Sequence, residues 1–484
     1  MNAVARVREA GGDELAERLT LLDALGRQRG AARHLATAIR APDAGTAVDA
    51  DVILAGGGLF SLLAPVLRKR GLSVIVIDRG VAARSHREWN ASDRELRALV
   101  LAGVCTDEEL QRLVVARYRE GTCRFHGGGS YPVQGVLDVA VDAGALLALG
   151  RAKGEALGVR YKDHTEITGE ASGEGLVAVA TRGSVQHDGR SEGGSLVARV
   201  LIDARGAASP YASADLVCPT VGGVLTGLVA GAAPDEMDPS VGEILATIDP
   251  VEDGRQHVWE AFPGARGETT VYLFYYAKAR EPASLLDLYD RFFRTLPSYK
   301  RGDATLLRPT FGLIPGWSRL GPAPAPPRGR IMLVGDAAAR HSPLTYCGFG
   351  AALRSFTLVA DAVERALETA GSVEPSPVHD APAHVLTGAL AHMISARTFH
   401  RNEVNSLLDA AFATLHASGD GYARLLRDEA SAAEIISFLR DTSARHPAVW
   451  GKVLRGLGVM RAGRWGLNVA RSFCSGRTAT SDGA

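Results

Sequence analysis

The chain has 484 residues, which is long enough for two or three structural units around a sizeable buried core. Lysine plus arginine and aspartate plus glutamate each number 54, so the balanced charge gives no support for nucleic-acid binding or for steering of acidic substrates. The five cysteines are scattered without a CxxC pair, which argues against a zinc site and against a disulfide framework.

Hydropathy and cysteine usage also bear on location. No stretch reaches eighteen uncharged apolar residues, and the N-terminus has no apolar run after its first arginines. We therefore expect neither a membrane-spanning helix nor a signal peptide. Scattered, unpaired cysteines make a reducing cytoplasm the expected compartment.

Residues 1–50 are predicted to form an N-terminal helical extension. Leu15, Leu19 and Leu22 fall on one face of a helix over residues 13–29. We predict that this face packs on the body of the protein, and a partner helix is the alternative. Residues 41–50, which include a proline and a glycine, are predicted to link the extension to the following strand.

The stretch from residue 51 to residue 79 reads as a strand, a glycine turn, a helix and a second strand that ends on an acid. In the pattern GxGxxG, Gly56 makes the tight turn and Gly58 lets the backbone approach a pyrophosphate. The third position needs a small side chain, and here it is Ser61. Asp78 follows about twenty residues after Gly56, where an acid accepts hydrogen bonds from an adenosine ribose.

Two residues of this stretch depart from the ideal pattern. Ser61 stands where glycine is usual, and Pro65 lies inside the predicted helix, where it removes a backbone hydrogen bond. The sequence favours a dinucleotide site, and a purely structural βαβ unit is the alternative.

A dense cluster of charged and aromatic residues follows the second strand. It contains Arg84, Arg87, Glu88 and Trp89. A solvated face and a wall of the cofactor pocket are both consistent with such a cluster. We assign Arg79 and Arg87 to cofactor binding.

Two later segments also read as a strand that runs into a small, polar turn. Residues 201–210 have the sequence LIDARGAASP, and residues 331–338 have the sequence IMLVGDAA. After the second, Gly348 and Gly350 open a helix. Such a turn can place the Asp336 carboxylate on a chain of hydroxyl groups, and the glycine N–H groups near a ring system.

Taken together, these three segments resemble the FAD-dependent family of para-hydroxybenzoate-hydroxylase-type monooxygenases, geranylgeranyl reductases and lycopene cyclases. The resemblance implies FAD as cofactor and an α/β (α+β) fold, in which a Rossmann-type FAD-binding domain accompanies a β-sheet substrate domain and a helical C-terminal region. It assigns the pyrophosphate to Gly56, Gly58 and Ser61, and the adenosine ribose to Asp78. Asp336 would contact the ribityl or pyrophosphate region, and Gly335 beside it is also assigned to cofactor binding. Gly348 and Gly350 would lie near the isoalloxazine.

The same resemblance implies the domain boundaries. The FAD-binding domain would consist of residues 51–217 and 330–370, and the substrate domain of residues 218–329. Residues 371–484 would form the helical C-terminal region.

A narrower resemblance, to the Cru-type lycopene cyclases and their paralogues, comes from less generic pieces. They are REWN at 87–90, VCPTVG at 217–222, WEAFP at 259–263 and HSP at 341–343 with GFG at 348–350. This resemblance implies a redox-neutral reaction on a carotenoid end group. An acid protonates lycopene, the carbocation closes into a ring, and a base removes a proton, while reduced FAD stabilises the cation.

Glu260 is the candidate catalytic acid. It lies in a predicted strand between Trp259 and Phe262, where burial would raise its pKa and keep it protonated. A surface or ion-paired glutamate is the alternative. Plant-type and bacterial lycopene cyclases carry a strand that ends in paired glutamates, whereas the strand at residues 271–276, VYLFYY, has no acid.

Two other functions therefore remain open. One is an FAD-dependent monooxygenase or reductase that takes electrons from NAD(P)H and acts on an apolar or aromatic substrate. The other is a non-catalytic flavin-binding paralogue. The predicted partner is a small apolar substrate, either a carotenoid or another isoprenoid or aromatic compound, and no nucleic acid is expected to bind.

The C-terminal stretch at residues 446–471 is basic and amphipathic, contains two tryptophans and has no acid. This composition is typical of a surface helix on anionic lipid, so peripheral membrane contact is predicted. Its five glycines weaken a helix, and packing on the body of the protein is the alternative.

Overall fold

The structure, a computed structural model, describes residues 2–28, 37–85, 89–183, 193–212, 214–265, 267–321, 325–345, 347–399 and 402–478. The α-helices of these residues are α1 (Ala3–Arg27), α2 (Leu63–Lys69), α3 (Asp93–Leu101), α4 (Asp107–Leu113), α5 (Ala143–Ala156), α6 (Leu285–Tyr299), α7 (Gly348–Leu367), α8 (Ala383–Ile394), α9 (Glu403–His416), α10 (Asp420–Leu426), α11 (Ala432–Arg445), α12 (Val449–Leu457) and α13 (Val459–Thr478).

The strands of the same residues are β1 (Ala50–Ala55), β2 (Val74–Ile77), β3 (Trp89–Ala91), β4 (Val114–Arg117), β5 (Glu120–Arg124), β6 (Ser130–Val133), β7 (Val139–Val141), β8 (Arg160–Lys162), β9 (Thr165–Gly173), β10 (Leu176–Gly183), β11 (Gly193–Asp203), β12 (Leu216–Leu228), β13 (Val241–Ala246), β14 (His257–Pro263), β15 (Thr269–Tyr275), β16 (Ala277–Lys278), β17 (Gly302–Gly316) and β18 (Ile331–Leu333).

The first sheet has the strand order β8-β2-β1-β11-β10-β9, with β18 beside β11. Strand β1 pairs in parallel with β2 and β11, and β11 pairs in parallel with β18. Both faces of β1 are covered, since Val52 and Leu54 belong to one apolar core and Ile53 to another. That is why the central strands are continuous apolar runs. The predicted Rossmann-type α/β arrangement is confirmed.

Pro65 shortens the helix after β1 without breaking it. Because proline has no N–H, the α-helical bond from residue 65 to the Ser61 carbonyl cannot form. The chain instead opens with a 3-10 turn at Leu59–Leu62, in which the Ser61 N–H donates to the Gly58 carbonyl at 2.9 Å. Helix α2 begins at Leu63, so Pro65 falls in its first turn, where proline is tolerated.

The second sheet has the order β16-β12-β15-β14-β13-β5-β6, with β17 along the other edge of β12. Most of its strands come from residues 218–329, the predicted substrate domain. Strands β5 and β6 precede that range and join through a parallel pairing of β5 with β13. In the middle of the sheet, Glu260 on β14 lies opposite Tyr272 on β15.

Helix α1 packs on this second sheet and on α6, as predicted for the N-terminal extension. Leu19 is buried there, and Leu15 and Leu22 pack against the same core. At the end of the helix, the Asp23 carboxylate accepts a 2.8 Å hydrogen bond from the Ser284 hydroxyl. The helix begins ten residues before the predicted start and is kinked at Gly12, whose φ is 80°.

Helices α8 to α13 form the C-terminal region over one end of the second sheet and share its largest core cluster. Trp450 and Trp465 are half-buried, with ring centroids 6.1 Å apart, and the Trp465 indole N–H donates to the Val385 carbonyl at 3.1 Å. The tryptophans of the basic stretch therefore pack on the body, not outward. Over the described residues, no helix has both the length and the apolar character needed to cross a bilayer.

Candidate active site

A cavity of about 1060 Å³ is bounded by residues from the first and second sheets and from a small third sheet, β3-β7-β4. Its volume is slightly above the usual range for ligand pockets, about 300–1,000 Å³. The glycine turn after β1 and the turns after β11 and β18 form one part of its wall. Side chains of β12, β14, β15 and β17 form another. The cavity can therefore hold a long cofactor together with a second ligand.

The three glycines after β1 differ in what a side chain would meet at each position. Gly56 has φ of 110°, and a Cβ atom there would lie 2.5 Å from the Ala204 carbonyl oxygen. A Cβ atom on Gly57 would lie 2.5 Å from the Cα atom of Ala82. A Cβ atom on Gly58 would meet no heavy atom within 4 Å, and Gly58 lines the cavity. The open space at Gly58 is where a ligand can approach the backbone.

Asp78 holds the glycine turn and also faces the cavity. Its carboxylate accepts hydrogen bonds from the N–H groups of Gly57 and Gly80, both at 2.7 Å. A carboxylate has about four acceptor positions, so about two remain for hydroxyl donors. Arg79 and Arg84 are exposed and line the same end of the cavity. Arg87, predicted to bind the cofactor, lies outside the described residues.

A buried carboxylate shapes the turn after β11. Asp203 is fully buried and accepts hydrogen bonds from the Arg205 backbone N–H at 3.0 Å and from the Ser209 hydroxyl at 2.7 Å. The Arg205 guanidinium pairs with Asp203 at 2.8 Å and with Glu170 at 2.9 Å. These contacts fix the position of Gly206, which lines the cavity opposite Asp336.

The turn after β18 presents a carboxylate to the cavity. Gly335 has φ of 57°, and a Cβ atom there would lie 2.8 Å from the Phe60 ring. The Asp336 side chain is 40% exposed, and its Oδ1 atom lies 3.8 Å from Nδ1 of His341. Burial lowers the pKa of His341, which favours its neutral imidazole. The 3.8 Å separation is also longer than a hydrogen bond. Asp336 therefore keeps acceptor positions for a ligand.

The two glycines of α7 differ in position. Gly348 lines the cavity. Gly350 does not, because the Glu95 carboxylate occupies the space that a Cβ atom would fill. Glu95 is buried, accepts a 2.9 Å hydrogen bond from the Ser92 N–H and pairs with Arg354. Gly350 thus lies behind the cavity lining and allows α7 to pack closely on Glu95.

This difference gives a stability prediction. Gly350→Ala should lower the free energy of unfolding by about 1–3 kcal/mol, because the new methyl group overpacks against buried Glu95. Gly348→Ala is the matched control and should change it little, since the nearest atom to its Cβ position is 4.0 Å away. Urea unfolding of both variants measures the difference, and equal midpoints would contradict the assignment.

Glu260 projects from β14 into the cavity. Cys218, Phe262, Tyr272 and Phe274 lie along the same part of the lining. Within the described residues, no donor or cation is hydrogen-bonded or ion-paired to its carboxyl group. Burial raises its pKa to about 8. A carboxyl group with that pKa is mostly protonated at pH 7, as expected for an acid and not for an ion-paired surface glutamate.

The structure brings most of the predicted site residues to one cavity. The residues that line it are Gly56, Gly58, Asp78, Arg79, Gly335, Asp336, Gly348 and Glu260. Ser61 is 2% exposed and lies behind the lining, in the 3-10 turn. Gly350 also lies behind the lining.

The comparisons with known proteins bear on the fold. No protein-family model matches this chain, and no curated protein sequence matches it. Solved structures do. A geranylgeranyl bacteriochlorophyll reductase-like protein from Thermoplasma acidophilum has 15% identity and a TM-score of 0.53, over 84% of this chain and 98% of that chain.

Two halogenases are similar to a comparable degree. Halogenase PltM, in complex with phloroglucinol and FAD, has 15% identity and a TM-score of 0.57, over 87% of this chain and 96% of that chain. CmlS, a flavin-dependent halogenase, has 14% identity and a TM-score of 0.51, over 88% of this chain and 77% of that chain. This chain has the fold of these flavoproteins.

The residues of this flavoprotein fold fit the cofactor. The backbone at Gly58 opens onto the cavity, so a pyrophosphate can approach it. Asp78 and Asp336 keep acceptor positions on the cavity side for hydroxyl groups. At these identities the comparisons concern the fold alone, and they do not bear on the narrower resemblance to lycopene cyclases.

Three further residues of the candidate site were not among the predicted cofactor-binding residues, although Trp89 belongs to the cluster that follows the second strand. Trp89 and Phe349 stack with their ring centroids 4.8 Å apart, and both line the cavity. The Asn90 side chain, also in the lining, accepts a 3.1 Å hydrogen bond from the Tyr118 hydroxyl. The cluster after β2 was the only sequence signal for these residues. Their contacts could not be predicted, because the partners Phe349 and Tyr118 are remote from Trp89 and Asn90 in sequence.

Proposed function

We propose that this protein is an FAD-dependent enzyme that protonates an apolar polyene, with Glu260 as the acid, in a carotenoid end-group cyclisation like that of lycopene cyclases. One observation carries the proposal. The Glu260 carboxyl group, without a hydrogen-bond or ion-pair partner among the described residues, shares a single cavity with the glycine turn after β1.

The chain's own residues would hold FAD along that cavity. Gly56 and Gly58 would receive the pyrophosphate, and Asp78 would accept hydrogen bonds from the adenosine ribose. Asp336 would do the same for the ribityl region, and Gly348 would lie near the ring system. When bound in its reduced form, FAD supplies negative charge near a developing cation, which is the contribution that a redox-neutral cyclisation needs.

Glu260 would act first as donor and then as acceptor of a proton. The neutral carboxyl group gives its proton to a terminal alkene carbon, which leaves a carbocation on the neighbouring carbon. A second double bond attacks that carbon and closes the six-membered ring. The Glu260 carboxylate then takes a proton from a carbon next to the new cation. The polyene is isomerised without a net change in redox state.

The lining around Glu260 suits such a cation. Phe262, Tyr272 and Phe274 are aromatic, and an aromatic face stabilises a cation by about 0.5–2 kcal/mol. Burial also raises the pKa of the Cys347 thiol well above its usual value, so this neighbouring group stays neutral. Aromatic side chains beside Glu260 would also reduce the access of water, which would otherwise trap the cation as an alcohol.

A second candidate is an FAD-dependent monooxygenase or reductase that uses NAD(P)H on an apolar or aromatic substrate. The similarity to a geranylgeranyl bacteriochlorophyll reductase-like protein and to halogenases favours it. In that case Glu260 would protonate a reduced or oxygenated intermediate of the substrate. A non-catalytic flavin-binding paralogue is the third candidate, and it predicts that Glu260 has no role in turnover.

The deciding experiment incubates the reduced, FAD-loaded protein with lycopene under anaerobic conditions and separates the pigments by chromatography. A ring-containing product of unchanged mass would support cyclisation. Untouched lycopene, together with substrate-stimulated NAD(P)H oxidation on another apolar compound, would overturn cyclisation in favour of the second candidate. Untouched lycopene without any such oxidation would favour the third.

The raised pKa of Glu260 gives a pH prediction. Because the acid is the neutral carboxyl group, kcat/KM should be constant below about pH 7 and fall about tenfold per unit above about pH 8. The folded-state pKa exceeds the unfolded value, so the stability that this proton contributes is full at acidic pH and is lost as the pH rises through about 8. A pH–rate profile checks the predicted fall in kcat/KM, and a kcat/KM that rises between about pH 7 and 9 would contradict it.

A further inference from the structure

The turn between α12 and α13 exposes two consecutive large apolar residues. Gly458 makes the turn with φ of 72°, and Val459 and Met460 follow it. Val459 is 84% exposed and Met460 is 90% exposed. Leu454 on α12 and Leu467 on α13 are also more than half exposed. Four exposed apolar side chains within fourteen residues form a surface that we call the hairpin tip.

The residues around the hairpin tip are cationic. Residues 447–471 contain five lysines and arginines and no acid. Arg455 pairs with Glu403 at 2.5 Å, so part of its charge is offset. Lys452 and Arg464 donate to uncharged oxygens, the Ser406 hydroxyl and the Leu320 carbonyl, so those contacts leave their charges uncompensated. Arg461, next to Met460, is exposed.

The inward side of the hairpin packs on the body. Gly456 packs against Phe399 and Met393 so closely that a Cβ atom would lie 2.8 Å from the Phe399 ring. Trp450 donates to the Ser443 hydroxyl at 3.0 Å, and Trp465 donates to the Val385 carbonyl. The inward face of each helix is thus occupied, and the tip projects without needing to unfold.

We propose that the hairpin tip docks on an anionic lipid bilayer. Apolar side chains at a tip can enter the acyl boundary of a bilayer, while surrounding lysines and arginines bind the headgroups. The absence of acids from residues 447–471 makes the charge complementary to an anionic surface. The docking concerns a surface outside the cavity and does not depend on the reaction that Glu260 serves.

The position of the hairpin gives docking a use if the substrate is lipid-borne, which rests on the proposed function. Val453 of α12 and Trp465 of α13 line a second cavity of about 60 Å³ together with Leu344, and most of its lining is apolar. The next residue, Thr345, lines the large cavity that contains Glu260. The docked helices would thus lie close to the cavity that contains Glu260.

Vesicle co-sedimentation of the full-length protein tests the proposal. We expect it to bind vesicles of equal parts phosphatidylcholine and phosphatidylglycerol at least about tenfold more tightly than vesicles of phosphatidylcholine alone, and less tightly as salt rises. The double variant Val459→Asp, Met460→Asp should bind the anionic vesicles at least about tenfold more weakly than the wild type. Leu101→Asp, at an 85% exposed leucine on α3, is the matched control and should bind like the wild type.

Three results would overturn the proposal: no binding by the wild type, equal binding to both kinds of vesicle, or equal loss in the double variant and in Leu101→Asp. Because the replaced residues are exposed, both variants should keep the wild-type midpoint of urea unfolding. Should the double variant unfold, Arg461→Gln replaces it and should weaken binding several-fold. None of these results uses catalytic activity, so failure here is distinct from failure of the proposed function.

Discussion

Replacing Glu260 with glutamine should lower turnover by about 10²–10⁴-fold and leave FAD binding unchanged. The amide keeps the size of the side chain but cannot donate a proton as an acid, and a positioned general acid contributes about that factor. The carboxyl group accepts no hydrogen bond from a described residue, so no buried donor loses its partner. Stopped-flow or endpoint assays on the substrate measure the rate, and the flavin spectrum measures FAD.

Glu268→Gln is the matched control for this variant. Glu268 lies in the turn of the same β14–β15 hairpin but pairs with Arg308 at 2.6 Å, away from the cavity lining. We expect its turnover to stay close to that of the wild type. A Glu260→Gln protein that turns over normally would remove this residue from the mechanism and would favour the non-catalytic paralogue.

The second large effect is expected in the glycine turn. Substitution of Gly58 should weaken FAD binding, whereas substitution of Gly56 should destabilise the fold. Gly58→Val should weaken FAD binding by about 10- to 100-fold, since filling the open space costs about 1–3 kcal/mol and each 1.4 kcal/mol is tenfold. The stability of the FAD-free protein should hardly change, because nothing lies within 4 Å of the new Cβ atom. Isothermal titration with FAD and urea unfolding measure the two quantities.

Gly56→Ala should instead destabilise the FAD-free protein by about 2–5 kcal/mol. A residue with a Cβ atom is strained at φ of 110°, and the new atom would press on the Ala204 carbonyl. If Gly58→Val unfolds the protein, or if it binds FAD like the wild type, the open space at Gly58 is not a cofactor cradle.

Local patterns explain why the nucleotide-binding half was predictable. Strand β1, the glycine turn, helix α2 and strand β2 are consecutive, so their apolar runs, turn residues and the position of Asp78 can all be read within thirty residues. Even there, one set of contacts could not be predicted from the sequence. That Asp78 also binds the N–H groups of Gly57 and Gly80 depends on the path of the turn and not on residue type.

The remainder of the site depends on partners that are distant in the chain. In the sequence, Gly350 stands where a glycine that contacts the flavin is expected. In the structure, this residue has no room for a side chain because Glu95, more than 250 residues earlier, packs against it. The parallel pairing of β5 with β13 likewise joins strands with more than 100 residues between them. Periodicity and motif spacing carry no information on such pairings.

The most direct test of the whole account is the absorption spectrum of the purified protein after incubation with FAD and removal of free flavin by gel filtration. We predict a bound-flavin spectrum with stoichiometric FAD in the wild type and in Glu260→Gln, and little or none in Gly58→Val. Folded wild-type protein without bound flavin would contradict the assignment of the cavity, and with it the proposed chemistry at Glu260.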